Sequence, residues 1–490
     1  MIPVVMETSR IRRVLTLVAT SAMLLAACAP PAEPDPRLVS QWVRSWYGTI
    51  RVERLSPPVA SRLMAYASTA LYAGVASTRP DLPALDGALN GIPSLPRAGR
   101  ARDHDATVVA VEAERTVLDS LLIEALPTTR GALTRLADSL VNDRAAAGVS
   151  ERVRESSRLL GREIGLAIVA WSRTDGFDGT RGRSYPAPDG PGLWFNDSPA
   201  NVYATQNLSA TSEMITLDNP ANQLRAGNAS DRGLILSRPK SATSRTLPAV
   251  NMSGASEPYW GEVRPFVLPS RDACAIPEPP TYSVDTSSPF YQGARTVAAT
   301  RAALTEEQRL TAFFWADNAG ESGTPVGHWL SIAAQLIRAN DLDAATAARM
   351  VLATAVSQAD AFIASWGYKY QFNLLRPRTY IRRVIDRSWE PLIPTPPFPE
   401  YPSGHSTQSA AAAVAIGAFV GDVAFEDSTS VSLGHAVRRF PTLTAAAHEA
   451  GRSRIYGGIH FEFGDRAGRS LGECIGGKVA ERLAMGAARP

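Results

Sequence analysis

Apolar positions recur at three- and four-residue intervals from about Leu38 to Asp175. The segments "PPVASRLMAYASTALYAGVAST", "ATVVAVEAERTVLDSLLIEAL" and "ERVRESSRLLGREIGLAIVAWSR" each carry an apolar stripe of helical period. Between Gly176 and Pro289 that pattern dissolves. Gly, Pro, Ser, Asn and Thr dominate there, and Asp189-Gly190 and Glu278-Pro279 mark turns. A loop-rich stretch of this length is usually functional or disordered, and we read it as a lid or wrap over a helical core. Periodicity resumes at "YQGARTVAATRAALTEEQRLTAFFWADN" and continues through "GHWLSIAAQLIRAN" and "LDAATAARMVLATAVSQADAFIASWGYKYQFNLLRP". After the proline-rich "PLIPTPPFPEYP" come an alanine-rich helix and two more helical segments. The expected fold is all-α, a helical bundle with a long irregular insertion. The boundaries are 38–175 for an N-terminal helical region, 176–298 for the insertion or lid, and 299–490 for the bundle that carries the candidate chemistry. No fixed-period repeat and no βαβ pattern is present.

The N-terminus follows a different rule. Arg10, Arg12 and Arg13 precede "VLTLVATSAMLLAA", an apolar run that is too short to span a bilayer and suits a signal-peptide core. It ends in Leu25-Ala26-Ala27-Cys28, which resembles the bacterial lipoprotein box. That resemblance implies a signal peptide at 1–27, lipidation at Cys28 and a flexible tether at 28–37. It also implies export, with anchorage to the bacterial cell envelope (periplasm or outer membrane). A plain secretory signal with an incidental cysteine is the alternative. No other stretch is apolar enough to span a membrane.

Composition narrows the chemistry. A net charge of +3 over 490 residues gives no global case for nucleic-acid binding. Only Lys240, Lys369 and Lys478 are lysines, so each one is conspicuous. Beyond Cys28, Cys274 and Cys474 are either one disulfide or two separate buried thiols. There is no CxxC and no Cys/His cluster, which excludes a thiolate metal site.

Three short segments concentrate reactive side chains. In "WGYKYQFNLLRP", Lys369 and Arg376 are spaced by two helical turns, which predicts both cations on one helix face. Trp366 lies one turn earlier, and Pro377 is expected to end the helix. Two cations on one stripe call for an anion between them, although a solvated face is the commoner fate of such pairs. In "YPSGHS", Pro402 and Gly404 shape a turn, and Ser403 and His405 begin a helix whose N-terminus favours an anion and disfavours imidazolium. In "SRIYGGIHFEFGD", Gly457 and Gly458 break a helix, so Arg454 and His460 lie on separate backbone segments. A lone histidine among apolar neighbours is more often a satisfied core residue. Together, however, these groups make a site for a tetrahedral oxyanion. Arginines supply bidentate donors, a lysine supplies a point charge, and two histidines bond and shuttle protons. His328 reads as a helix-start residue, with the site entrance as the sharper alternative. His104, His435 and His448 read as ordinary helix or loop residues. Asp317 is a candidate carboxylate for orienting Lys369 or Arg454.

Lys369-x6-Arg376-Pro377, Pro402-Ser403-Gly404-His405 and Ser453-Arg454-x5-His460 resemble the three-part signature of vanadium-dependent haloperoxidases and type 2 phosphatidic acid phosphatases. The signature covers about Trp366 to Asp465, and the helical pattern from about Arg309 is similar to bacterial haloperoxidase-type proteins. The resemblance implies that Lys369, Arg376, Ser403, Gly404 and Arg454 bind vanadate or phosphate. It implies that His460 is the ligand of vanadium, or the nucleophile that becomes phosphohistidine. It gives His405 the acid–base role. Trp366 and Phe398 fall where fungal-type chloroperoxidases carry aromatic residues beside the halide. Phe398 in place of histidine is nearer the chloroperoxidase than the algal bromoperoxidase pattern. The implied function is peroxide-dependent oxidation of halide to hypohalous acid, with vanadate as cofactor and hydrogen peroxide and halide as partners. The alternatives are an acid phosphatase that acts on a phosphate ester without a cofactor, and a non-catalytic oxyanion-binding lipoprotein. Membrane contact is expected only through the lipid on Cys28.

Overall fold

In the N-terminal half, periodic apolar positions become the inner faces of packed helices. The structure is a computed structural model that describes residues 34–35, 37–197 and 254–483. Cys28, the signal segment and most of the insertion therefore lie outside the described residues. Helix α1 (Arg37–Val52) turns Leu38, Trp42, Val43, Trp46 and Ile50 inward. Helix α2 (Pro57–Ser77) is buried almost all round, as expected for a helix apolar on every face. It packs on α3 (Ala106–Leu121), and α3 in turn packs on α5 (Glu151–Ser172); α4 (Pro127–Ala146) covers the outside. Asp105 and Ser150 cap α3 and α5 through side-chain oxygens that accept from Val108 and Val153 N–H groups.

The C-terminal half adds α6 (Pro289–Ala302), α7 (Glu306–Phe314), α8 (Thr324–Ala339), the long α9 (Ala344–Phe372), α10 (Pro377–Val384), α11 (Gly404–Val420), α12 (Leu443–Tyr456) and α13 (Glu462–Leu483). Among the described residues the only sheet is an antiparallel pair, β1 (Phe425–Asp427) and β2 (Arg438–Phe440), so the all-α expectation holds. No described helix is long and apolar enough to cross a membrane. One continuous core joins the halves, with α9 against α2 on one side and α11 on the other. Helix α11 owes its depth to α13. An added Cβ at Gly468, Gly472 or Gly476 would lie 2.2–2.6 Å from the backbone oxygen of Ser403, Thr407 or Ala411, in α11 or just before it. That glycine row lets the two helices touch and fixes where α11, with His405 in its first turn, begins.

The described flanks of the insertion wrap onto this core. Asp360 in α9 accepts the N–H groups of Phe266, Val267 and Leu268 at 2.6–2.9 Å. Cys274 and Cys474 form a disulfide that ties the strap to α13. Upstream, Trp194 donates to the Asn373 carbonyl and Leu375 donates to the Gly192 carbonyl.

One expectation fails. Lys369 and Arg376 do not share a helix face, because α9 ends at Phe372. Asn373 takes a left-handed conformation (φ 48°, ψ 40°) and its N–H closes on the Lys369 carbonyl. Arg376 is the residue that precedes α10, and Pro377 opens that helix rather than ending the previous one.

Candidate active site

The break after α9 turns Arg376 back towards Lys369, and both side chains are fully buried. Lys369 Nζ donates to the carbonyl oxygens of Pro399 (3.0 Å), Glu400 (2.9 Å) and Pro402. Those three acceptors match the three protons of an ammonium, so the lysine shapes the turn that precedes α11. Arg376 Nε donates to the Phe398 carbonyl at 2.9 Å. Its Nη1 lies 2.8 Å from the Ile459 carbonyl and 3.0 Å from His460 Nε2. The Phe398 ring lies beside both cations, 5.2 Å from Lys369 Nζ and 4.9 Å from the Arg376 guanidinium carbon. Trp366 packs against it at 4.8 Å and anchors to the Ser256 carbonyl of the strap.

Ser403 is the residue before α11. Its Oγ accepts from the Ser406 N–H (3.4 Å) and lies 2.8 Å from Ser406 Oγ, which also reaches Asp465. Gly404 and His405 form the first turn. The carbonyl of Trp315 accepts from Arg454 Nη1 at 2.8 Å and from the His405 ring. His405 Nε2 is buried without a hydrogen-bond partner, so the nitrogen that donates to Trp315 is Nδ1. That leaves a neutral ring with its Nε2 lone pair available. His405 is also the one partly exposed group among these residues.

His460 is buried and held at both nitrogens. Nδ1 lies 2.7 Å from Glu400 Oε1, a carboxylate oxygen that also accepts the Phe461 N–H at 3.0 Å. Nδ1 therefore carries the proton, and Nε2 is the lone pair facing Arg376.

Electrostatics make these residues one site. Burial, then Arg376, drives the Lys369 ammonium well below its usual range, with Glu400 pulling the other way. Burial, then Arg376, Lys369, Arg454 and His405, does the same to His460. Burial, then Arg454, His328 and Lys369, pushes His405 down. Burial raises Glu400 to about 7 against the opposing pull of Arg376 and Lys369. A cluster in which each group disfavours the others' positive charge is short of negative charge, and an oxyanion supplies it.

Cys28 lies outside the described residues, and Trp366, Lys369, Arg376, Phe398, Ser403, Gly404, His405, Arg454 and His460 gather at this cluster. Ser453 instead donates back to the Ala450 carbonyl. Asp317 behaves differently from the expectation. Its hydrogen-bond partners are His328 Nδ1, at 3.0 Å, and Ser322, rather than Lys369 or Arg454. His328 Nε2 reaches Asp427 at 2.8 Å, and the ring stacks on Trp315 at 4.5 Å. It thus sits near the start of α8, as expected, and is fully buried between two carboxylates rather than at the site entrance. Burial opposes its charge, but Asp317 and Asp427 outweigh that and raise its pKa from 6.5 to about 10. Sequence reasoning also passed over Glu400 and Trp315. Glu400 meets a histidine 60 positions away, and Trp315 acts through a backbone carbonyl, which no side-chain pattern reports.

Residues 349–487 match the family described as the VCPO second helical-bundle domain. In structure the chain is similar to a bacterial vanadium-dependent iodoperoxidase. The two share 30% identity with a TM-score of 0.75, over 93% of this chain and 98% of that one. It also shares a fold with the holo form of a bacterial vanadium-dependent chloroperoxidase (18% identity, TM-score 0.59, 92% and 96% coverage). The apo form of a bacterial vanadium-dependent chloroperoxidase gives 17% identity, a TM-score of 0.58, and 88% and 94% coverage. No curated protein matches the sequence.

Proposed function

The chain belongs to the superfamily of vanadium-dependent haloperoxidases and type 2 phosphatidic acid phosphatases, and on that premise we propose that it oxidises halide with hydrogen peroxide to hypohalous acid. The observation that carries this reading is the donor set. A neutral imidazole, His460, offers Nε2 within a group of cations that suppress one another's charge. That set fits vanadate, which needs one nitrogen ligand and positive surroundings for its oxygens. Bound vanadate supplies Lewis-acid activation of peroxide without changing its oxidation state.

The protein's own residues do the rest. Arg376, whose Nη1 lies against His460 Nε2, and Arg454 would hold the oxygens of the anion through their guanidinium groups. Lys369 holds the turn and adds fixed charge. The Ser403 hydroxyl and the Gly404 N–H at the start of α11 face developing negative charge. His405 Nε2 takes the proton of entering hydrogen peroxide and returns a proton to the oxygen that departs as water. Halide, peroxide and one proton give hypohalous acid and water. Trp366 and Phe398 form the apolar wall that strips water from the halide.

Iodide is the halide we place first. The similar structure at 30% identity is an iodoperoxidase, and iodide is the easiest of the halides to oxidise. The disulfide supports an oxidising compartment, and with it we propose export and lipidation at Cys28. The test is purification without the lipid anchor, with and without vanadate. Peroxide-dependent oxidation of iodide, bromide and chloride would be assayed beside p-nitrophenyl phosphate hydrolysis. Vanadate-dependent halide oxidation is expected. Phosphatase activity without vanadate, and no halide oxidation with it, would establish the phosphomonoesterase instead.

A further inference from the structure

Glu400 is a fully buried acid paired with His460. It stands in the turn before α11, and its backbone is fixed on both sides. Its N–H donates to the Leu374 carbonyl, and its own carbonyl accepts from Lys369 Nζ. Its Oε1 receives the His460 Nδ1–H and the Phe461 N–H, whereas Oε2 has no hydrogen-bond partner. A buried carboxylate satisfied this sparingly is expensive to keep for packing alone. The space it fills is also reserved for it. A Cβ added at Gly464 would lie 2.2 Å from Glu400 Oε1, so position 464 leaves out a side chain where the carboxylate sits.

We propose that Glu400 is the positioning residue of His460. Through Nδ1 it aims the ring and raises the basicity of Nε2 towards the oxyanion's central atom, and Gly464 is the glycine that makes room for it. The proposal rests on the reading of His460 as the group that bonds the central atom. A carboxylate behind a ligating imidazole strengthens the bond at the far nitrogen without touching the ligand. Because Glu400 belongs to the Lys369-held turn, this same residue couples the cation cage to the bonding nitrogen.

The test compares two tetrahedral anions by calorimetry on the purified protein, with no peroxide or halide present. Vanadate needs the bond to Nε2, whereas sulfate needs only the cations. Glu400→Ala is expected to weaken vanadate about 10–100-fold while leaving sulfate unchanged. Gly464→Ala keeps the glutamate but pushes it off His460, so it should give the same split, and it serves if the first variant does not fold. Three results would overturn the proposal. They are unchanged vanadate affinity in Glu400→Ala, equal weakening of both anions, or a wild type that binds vanadate no tighter than sulfate. Tight vanadate binding without halide oxidation would overturn the haloperoxidase reading alone and leave Glu400 in this role.

Discussion

His328 stacks on the Trp315 ring and His405 donates to the Trp315 carbonyl, and both are pushed by burial towards the neutral form, yet they end in opposite charge states. His328 lies between Asp317 and Asp427 and stays an imidazolium up to about pH 10. His405 has a neutral carbonyl at one nitrogen, cations around it and no partner at the other, so it is held neutral. Burial sets the cost of charge, and the partners decide whether that cost is met. The first histidine is a fixed charge that fastens the segment carrying Trp315 to β1. The second is free to accept a proton. His328 itself helps keep His405 neutral, so the two states are linked.

The largest expected effect comes from removing the proton carrier. His405→Ala should lower halide-oxidising turnover about 10²–10⁴-fold. Calorimetry should show vanadate still bound, because the anion keeps His460 and the cations. Loss of binding in step with turnover would erase the distinction between the two histidines. On the other side, His328→Asn leaves two buried aspartates facing each other. Unfolding stability in a denaturant titration should fall by about 3–5 kcal/mol. A change below about 1 kcal/mol would mean that His328 is not a charged clamp.

The pH dependence of stability separates the two states again. The folded pKa of His328, about 10, exceeds its unfolded value of 6.5. Its stabilisation is therefore complete below pH 6.5 and is lost as pH rises through 10. Denaturant midpoints of the wild type should decline across that window, on the order of 5 kcal/mol in total. The same decline should be missing from His328→Asn. The smallest effect is on His405 itself. Its folded pKa lies well below 6.5, so the acid limb of turnover should too. Removing the nearby imidazolium in His328→Asn should move that limb upward, because His328 is one of the charges that hold His405 down.

Much of the site was legible as spacing. The three segments put Lys369, Arg376, Ser403, Gly404, His405, Arg454 and His460 into one reading. The all-α architecture followed from a 3.6-residue period sustained over long stretches. Spacing misled where backbone conformation intervened. Seven residues of helical register between Lys369 and Arg376 are cancelled by one left-handed residue, Asn373. Spacing was silent where a partner is remote or is a backbone atom. Nothing local to "FPEYPSGHS" says that Glu400 meets His460, and the shared Trp315 carbonyl has no residue-type signature. Spacing could offer Asp317 only as a candidate partner of Lys369 or Arg454, and packing brings it to His328 instead.

The most direct measurement is a crystal structure of the protein with vanadate bound. The account predicts vanadium bonded to His460 Nε2, with Arg376 displaced from that nitrogen onto a vanadate oxygen, and His405 Nε2 facing the anion. Vanadium elsewhere, or an anion held only by cations while Arg376 still occupies His460 Nε2, would contradict it.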